Sequence, residues 1–303
     1  MRSRIILLLT ISVSVGWAPA QPRDDGAPVF NADAKMVLVP TTVMDRRGAL
    51  VSGLRADAFS VIQDNVPQRI ASFGEQDVPV SIGVVFDTSG SMRQVLPQAK
   101  LVLRRFFELS NPEDEAFLFT VSSRPNRDSA FTSDFNTLVN HMLFTDAGGS
   151  TALTDTIYAA LEMSRHASHP RKALLVISDG MDNHSRYSKG ELISAALEAD
   201  LQIYSVSVYT PPLTKKPIEL SEERGGLAFL EEITRRTGGI QLIVHNSREL
   251  DQAAGDIARA IRDQYLIGYV PENAEANGKW HSLKVKLNVG NATAYARSGF
   301  YAK

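Results

Sequence analysis

VSIGVVFDTSGSM, residues 80–92, decides how the chain is read. An apolar run from Val80 to Phe86 stops at a carboxylate, Asp87. It passes at once into a loop with hydroxyls at alternate positions, Ser89 and Ser91. A short unbroken apolar run is the pattern of a strand buried on both faces, as in a parallel sheet covered by helices. Similar runs follow downstream: AFLFTV (116–121), ALLVIS (173–178), IYSVSV (203–208) and IQLIV (240–244). Between them apolar residues recur at helical spacing. Val95, Ala99, Val102, Leu103, Phe106 and Phe107 form one stripe, Leu153, Ile157, Ala160 and Leu161 another, and Leu192, Ala195, Ala196 and Ala199 a third. AFLEEITRRTGG ends on Gly238 and Gly239, a helix stop, and SRELDQAAGDIARAIRDQ is the last helix. Strand–helix alternation of this kind predicts the α/β class, a doubly wound, mainly parallel sheet with helices on both faces.

The flanks carry a different period. KMVLVPTTVMD leads into the turn RRGA, and DAFSVIQD and QRIASFGE stand either side of NVP. The tail returns to alternation in QYLIGYVP, HSLKVKLNV and TAYARSGFYA, with a turn signal at NGK (277–279). Neither set buries much alone. The simplest arrangement joins both ends in one small sheet beside the α/β domain. TPPLTKKPIELSEERGG (210–226) reads as a long polar connection, and no internal repeat is visible.

Composition sets outer limits. Apolar residues make up 44% and charged residues 22%, ordinary for a globular protein. The formal charge is −2 without a basic patch, which argues against nucleic acid and anionic membrane surfaces as partners. Arg2 and Arg4 precede the apolar stretch IILLLTISVSVGWA, and APA follows at 18–20. That apolar stretch is shorter than the roughly 20 residues of a spanning helix, so a signal peptide cleaved after Ala20 is expected rather than a membrane anchor. The chain has no cysteine, hence no disulfide and no cysteine-linked lipid. Export to a bacterial periplasm or exterior, with no membrane insertion after cleavage, fits these features.

In an open parallel sheet, ligands bind beyond the carboxyl ends of the strands. Asp87 sits there. AGGSTALTDTIYAALE places Thr151 after a glycine pair at a helix start, and LLVISDGMDN ends a strand at Asp179, before Gly180. Distant segments thus bring two carboxylates and three hydroxyls to one sheet edge. Such oxygens suit a hard divalent cation, Mg²⁺ or Mn²⁺, better than Zn²⁺. Two carboxylates with neutral hydroxyls leave a position for water or an external anion.

DTSGS at 87–91, Thr151 and SDG at 178–180 resemble the metal-ion-dependent adhesion site of von Willebrand factor type A domains, over about residues 78–262. The resemblance implies a Rossmann-like fold with Ser89, Ser91 and Thr151 as hydroxyl ligands. Asp87 and Asp179 act directly or through water, and an acidic residue of a protein partner completes the site. Many relatives read Gly-Gly-Thr, whereas Ser150 here separates Gly149 from Thr151. The helical phase behind Thr151 favours it as the ligand, with Ser150 the alternative. The flanks look like those of secreted bacterial von Willebrand factor A-related proteins of the Acidobacterial type. That likeness brings no established biochemical activity. The domains expected are a signal peptide at 1–20, an N-terminal β flank at 21–77, the α/β domain at 78–262 and a C-terminal β flank at 263–303.

The function these readings imply is an exported, non-enzymatic adhesion module that recognises a protein through its metal. A metal-assisted hydrolase is the alternative from another class, with His184 the one histidine after the three loops. A structural protein with a silent metal site is a third. A phosphorylated aspartate would want an acidic pair, and position 89 is Ser; no G-x-S-x-G elbow is present. Asp182 and Asn183 could touch the rim of the site but read rather as a solvated loop, and His166 and His169, beside Pro170, as surface or capping residues.

Overall fold

The computed structural model describes residues 36–75, 78–208, 217–246, 248–271 and 278–302. The signal-peptide pattern and the stretch 209–216 lie outside the described residues. In chain order the strands and helices are β1 (Val37–Asp45), β2 (Phe59–Gln63), β3 (Val66–Gln68), β4 (Ile70–Glu75), β5 (Val80–Asp87), α1 (Leu96–Glu108), β6 (Glu115–Val121), β7 (Pro125–Arg127), α2 (Phe135–Leu143) and α3 (Leu153–Met163). They continue with β8 (Arg171–Ile177), α4 (Lys189–Glu198), β9 (Gln202–Val208), α5 (Pro217–Thr237), β10 (Gln241–Val244), α6 (Leu250–Arg262), β11 (Tyr265–Tyr269), β12 (Trp280–Leu287), β13 (Ala292–Tyr295) and β14 (Gly299–Tyr301).

The central sheet runs β10-β9-β8-β5-β6-β7. It is parallel except for the short edge strand β7, antiparallel to β6. Every residue of β5 is buried, as its unbroken apolar run requires. Alternate side chains serve opposite faces. Ile82, Val84 and Phe86 pack with α1, α2 and α6 through residues such as Val102, Phe106, Met142 and Ile257. Val85, with Leu174 and Val176 of β8, packs on the other face against Ile157, Leu192, Leu230 and Ile233 of α3, α4 and α5. The α/β class and doubly wound topology therefore stand. No helix among the described residues is long and apolar enough to cross a membrane.

Two expectations change. The flanking strands form two four-stranded sheets, β13-β1-β11-β4 and β14-β12-β2-β3, instead of one. Each has one apolar face, and both faces are buried against each other around Val39, Val43, Phe59, Val61, Tyr265, Ile267, Tyr269 and Leu283. A single extended sheet would have left that apolar face to be covered by something else; folding it into a sandwich covers it from within. The second change concerns 210–226, whose residues from Pro217 onward open α5.

Residues 35–303 group as one unit, and its sandwich and α/β parts share polar contacts. Gln264 Nε2 lies within hydrogen-bonding reach of Thr42 Oγ1, the Tyr204 hydroxyl and the Ala260 carbonyl. Arg297 pairs with Asp200 and donates to the Leu38 carbonyl at 2.9 Å.

Candidate metal centre

β5 and β8 are neighbours, with Phe86 opposite Ile177. From β5 the chain crosses to β6 on one side, and later strands add on the other through β8, β9 and β10. The order reverses between β5 and β8, where a parallel sheet opens a crevice at its carboxyl edge. Asp87 ends β5 there, and Ser178 and Asp179 follow β8 directly.

Asp87 is fully buried. Its Oδ1 accepts the backbone N–H of Ser89 at 2.9 Å, and its Oδ2 accepts the Ser178 hydroxyl at 2.6 Å. The first bond turns the chain immediately after the strand, an Asx-type arrangement. It leaves Ser89 Oγ and Ser91 Oγ 3.1 Å apart, side by side at the sheet edge. The Asp87 carboxyl is pushed up to about 7, first by burial and second by the negative charge of Asp179; hydrogen bonds from Ser178 and Ser89 act in the opposite direction.

Asp179 is 2% exposed, and its Oδ1 accepts the Met181 N–H at 3.0 Å. Its Oδ2 is buried and has no hydrogen-bond partner among the described residues. Thr151 is also buried. Its N–H donates to Asn183 Oδ1 at 3.0 Å, and its carbonyl accepts from the N–H groups of Asn183 and His184. The glycine-rich loop is sewn to the serine loop by Gly148 N–H to the Thr88 carbonyl at 2.8 Å and Gly90 N–H to the Gly149 carbonyl at 3.1 Å. The three predicted segments therefore meet, and Ser150 is half-buried beside the more enclosed Thr151.

Three participants escaped sequence reading. Ser178 braces Asp87 and, through the same hydroxyl, accepts the Gly180 N–H at 2.9 Å. Asn183 holds Thr151, and Asp182 accepts from both the backbone N–H and the hydroxyl of Thr154. Asp182 and Asn183 are thus fastening groups rather than a solvated loop. The helix α3 has no side-chain cap of its own at Ala152, which was the one available signal that a cap must arrive from elsewhere. His184 contributes its backbone N–H, and its ring makes no hydrogen bond among the described residues.

Two carboxylates converge here without an ion-pair partner among the described residues. An uncompensated charge of this kind is costly to bury. The donor set consists of carboxylate and hydroxyl oxygens, the ligands of hard cations, and the described residues hold no group of three or more His, Cys, Asp or Glu side chains placed to hold a metal ion. With the unpartnered Asp179 Oδ2, these residues fit a hard divalent cation.

Residues 82–181 match the family model of the von Willebrand factor type A domain. No curated protein matches the chain. Among solved structures, a von Willebrand factor type A protein from Catenulispora acidiphila aligns over 90% of this chain and 75% of its own, at 11% identity and a TM-score of 0.52. The conserved hypothetical protein BatB from Bacteroides thetaiotaomicron aligns over 60% of this chain and 98% of its own, at 20% identity and a TM-score of 0.48. The von Willebrand factor domain of the type V pili tip protein Mfa5 from Porphyromonas gingivalis covers 61% of this chain and 96% of its own, at 12% identity and a TM-score of 0.46.

Proposed function

Taking a von Willebrand factor type A domain over residues 82–181 as the premise, we propose that the chain is a non-enzymatic binding module that recognises a protein partner through Mg²⁺ or Mn²⁺. Ser89, Ser91 and Thr151 would hold the ion through hydroxyl oxygens, with Asp87 and Asp179 completing the protein's share. The bound ion supplies a localised positive charge with room for one further oxygen ligand, and a Glu or Asp side chain of the partner fills it. The chain's own residues prepare that event. Ser178 and the Ser89 N–H aim the Asp87 carboxylate, and Asn183 holds the backbone that carries Thr151. Export through the N-terminal basic–apolar–A-x-A pattern, with cleavage after Ala20, belongs to the same reading.

The observation that carries it is the buried Asp179 Oδ2, which has no donor among the described residues and lies on the carboxylate whose charge helps raise the Asp87 pKa. The test is calorimetric titration of Mg²⁺ and Mn²⁺ into the purified protein, beside Asp87→Ala and Ser91→Ala. One-site binding that disappears in the first variant and weakens in the second is expected, with circular dichroism unchanged. Thermal stability should rise with metal in the native chain and not in Asp87→Ala. Absence of binding in the native protein, or equal binding in Asp87→Ala, overturns the proposal.

A further inference from the structure

A cavity lies at the opposite end of the parallel sheet from Asp87. The amino ends of β8 and β9, the last residue of α5 and strands β1 and β11 of the sandwich enclose about 540 Å³. Sites for small molecules span roughly 300–1,000 Å³ and favour seams between packed units. The walls are mainly apolar and include Leu38, Pro40, Pro79 and Leu266. Leu38 is left 46% exposed on one of them.

The polar groups of this cavity are unevenly balanced. Lys172 lines it and makes no hydrogen bond or ion pair among the described residues. The Arg297 side chain is only 12% exposed. Its guanidinium faces Asp200 and the Leu38 carbonyl, while its Nε is buried with no acceptor among the described residues. The Arg171 guanidinium is committed to the Ile261 and Arg262 carbonyls that close α6. Arg171, Lys172 and Arg297 against Asp200 leave a positive balance beside an apolar chamber. An anionic headgroup on an apolar chain matches that balance, and a cationic one does not.

We propose that this cavity binds an amphiphile of the fatty-acid class, with its chain among Leu38, Pro40, Pro79 and Leu266 and its carboxylate against Lys172 and Arg297. The seat is independent of the metal edge, because it opens at the other end of the same strands. Calorimetry with decanoate, kept below its micelle concentration, tests it on the purified protein beside decyltrimethylammonium. Saturable binding of one decanoate per chain is expected, with none of the cationic amphiphile. Leu38→Trp should abolish binding by filling the chamber, and Lys172→Glu should weaken it at least about tenfold through loss of a charge-assisted contact. Magnesium titration of both variants should match the native chain, which separates this site from the metal reading and certifies the fold. No saturable decanoate binding, equal binding of the ammonium amphiphile, or native affinity in both variants overturns the proposal.

Discussion

Asp182 shows how a single carboxylate can join two segments that sequence separates. It accepts from the backbone N–H of Thr154 at 2.8 Å and from the Thr154 hydroxyl. Ser185 Oγ accepts the next N–H, that of Asp155, at 3.1 Å. Helix α3 begins at Leu153 with orphan donors in its first turn and no cap from Ala152, so these side chains cap it from across the site. A negative charge at that end also suits the helix dipole. Asp182→Ala should therefore lower stability by about 1–3 kcal/mol, since it strands a backbone donor and a hydroxyl. It should also weaken metal binding, because the segment it anchors begins beside Thr151. Urea denaturation measures the first effect and calorimetry the second. Native stability in the variant would mean that solvent caps α3 equally well. Asp182→Asn, which keeps an acceptor oxygen, should retain most of the stability.

At the scale of elements, α5 approaches the metal edge by backbone contact. Glu223, Gly226, Leu230 and Ile233 are buried at helical spacing, while Gly225 is exposed. A Cβ on Gly226 would lie 2.0 Å from the Gly180 carbonyl oxygen. Gly180 has φ +82°, and a Cβ there would lie 2.6 Å from the Gly226 carbonyl carbon. The helix thus rests on the turn that follows Asp179, and only hydrogen fits between them. Gly226→Ala should destabilise by about 1–3 kcal/mol through overpacking. Gly225→Ala meets nothing within 4 Å and should stabilise by up to about 1 kcal/mol, from helix propensity. Opposite signs in chemical denaturation would confirm the contact, and equal effects would refute it. The same pair explains why the sequence misled here. Two glycines after a polar, proline-containing stretch read as the end of a loop. Their physical role is close approach, and that depends on a partner turn 46 positions upstream of Gly226, which no local pattern in 210–226 reveals.

Across the whole molecule, legibility follows the range of the interaction. The five apolar runs correspond to β5, β6, β8, β9 and β10 with ends shifted by at most two residues, because burial on both faces marks β5, β6, β8 and β9 by themselves, while β10 is a half-buried edge strand. The sites of Asp87 and Asp179 follow from strand ends for the same reason. Sandwich strands were visible singly, but pairing such as Val39 with Ile267 joins opposite ends of the chain, and alternation carries no address for a partner. The buried tyrosines offer a test of how firmly these parts hold together. Tyr204 in the central sheet bonds to Gln264 and the Ala260 carbonyl, and Tyr269 in the sandwich donates to Gln63 Oε1 at 2.7 Å. Burial raises both phenols above the ordinary tyrosine value, with the Asp64 charge a second cause at Tyr269. The unfolded chain loses these protons near pH 10, as free tyrosine does, while the folded chain keeps them. Above about pH 10 the unfolded state therefore binds fewer protons, and stability falls as pH rises; below that pH these groups leave it unchanged. Denaturation midpoints should drop between about pH 9 and about pH 11, with tyrosinate absorbance from the buried rings appearing in one step with unfolding. The double variant Tyr204→Phe, Tyr269→Phe should show a shallower drop, since the two phenols no longer contribute. An identical slope in native and double variant would show that these rings ionise in the folded state, and separate absorbance steps would show that the sandwich and the α/β domain come apart independently.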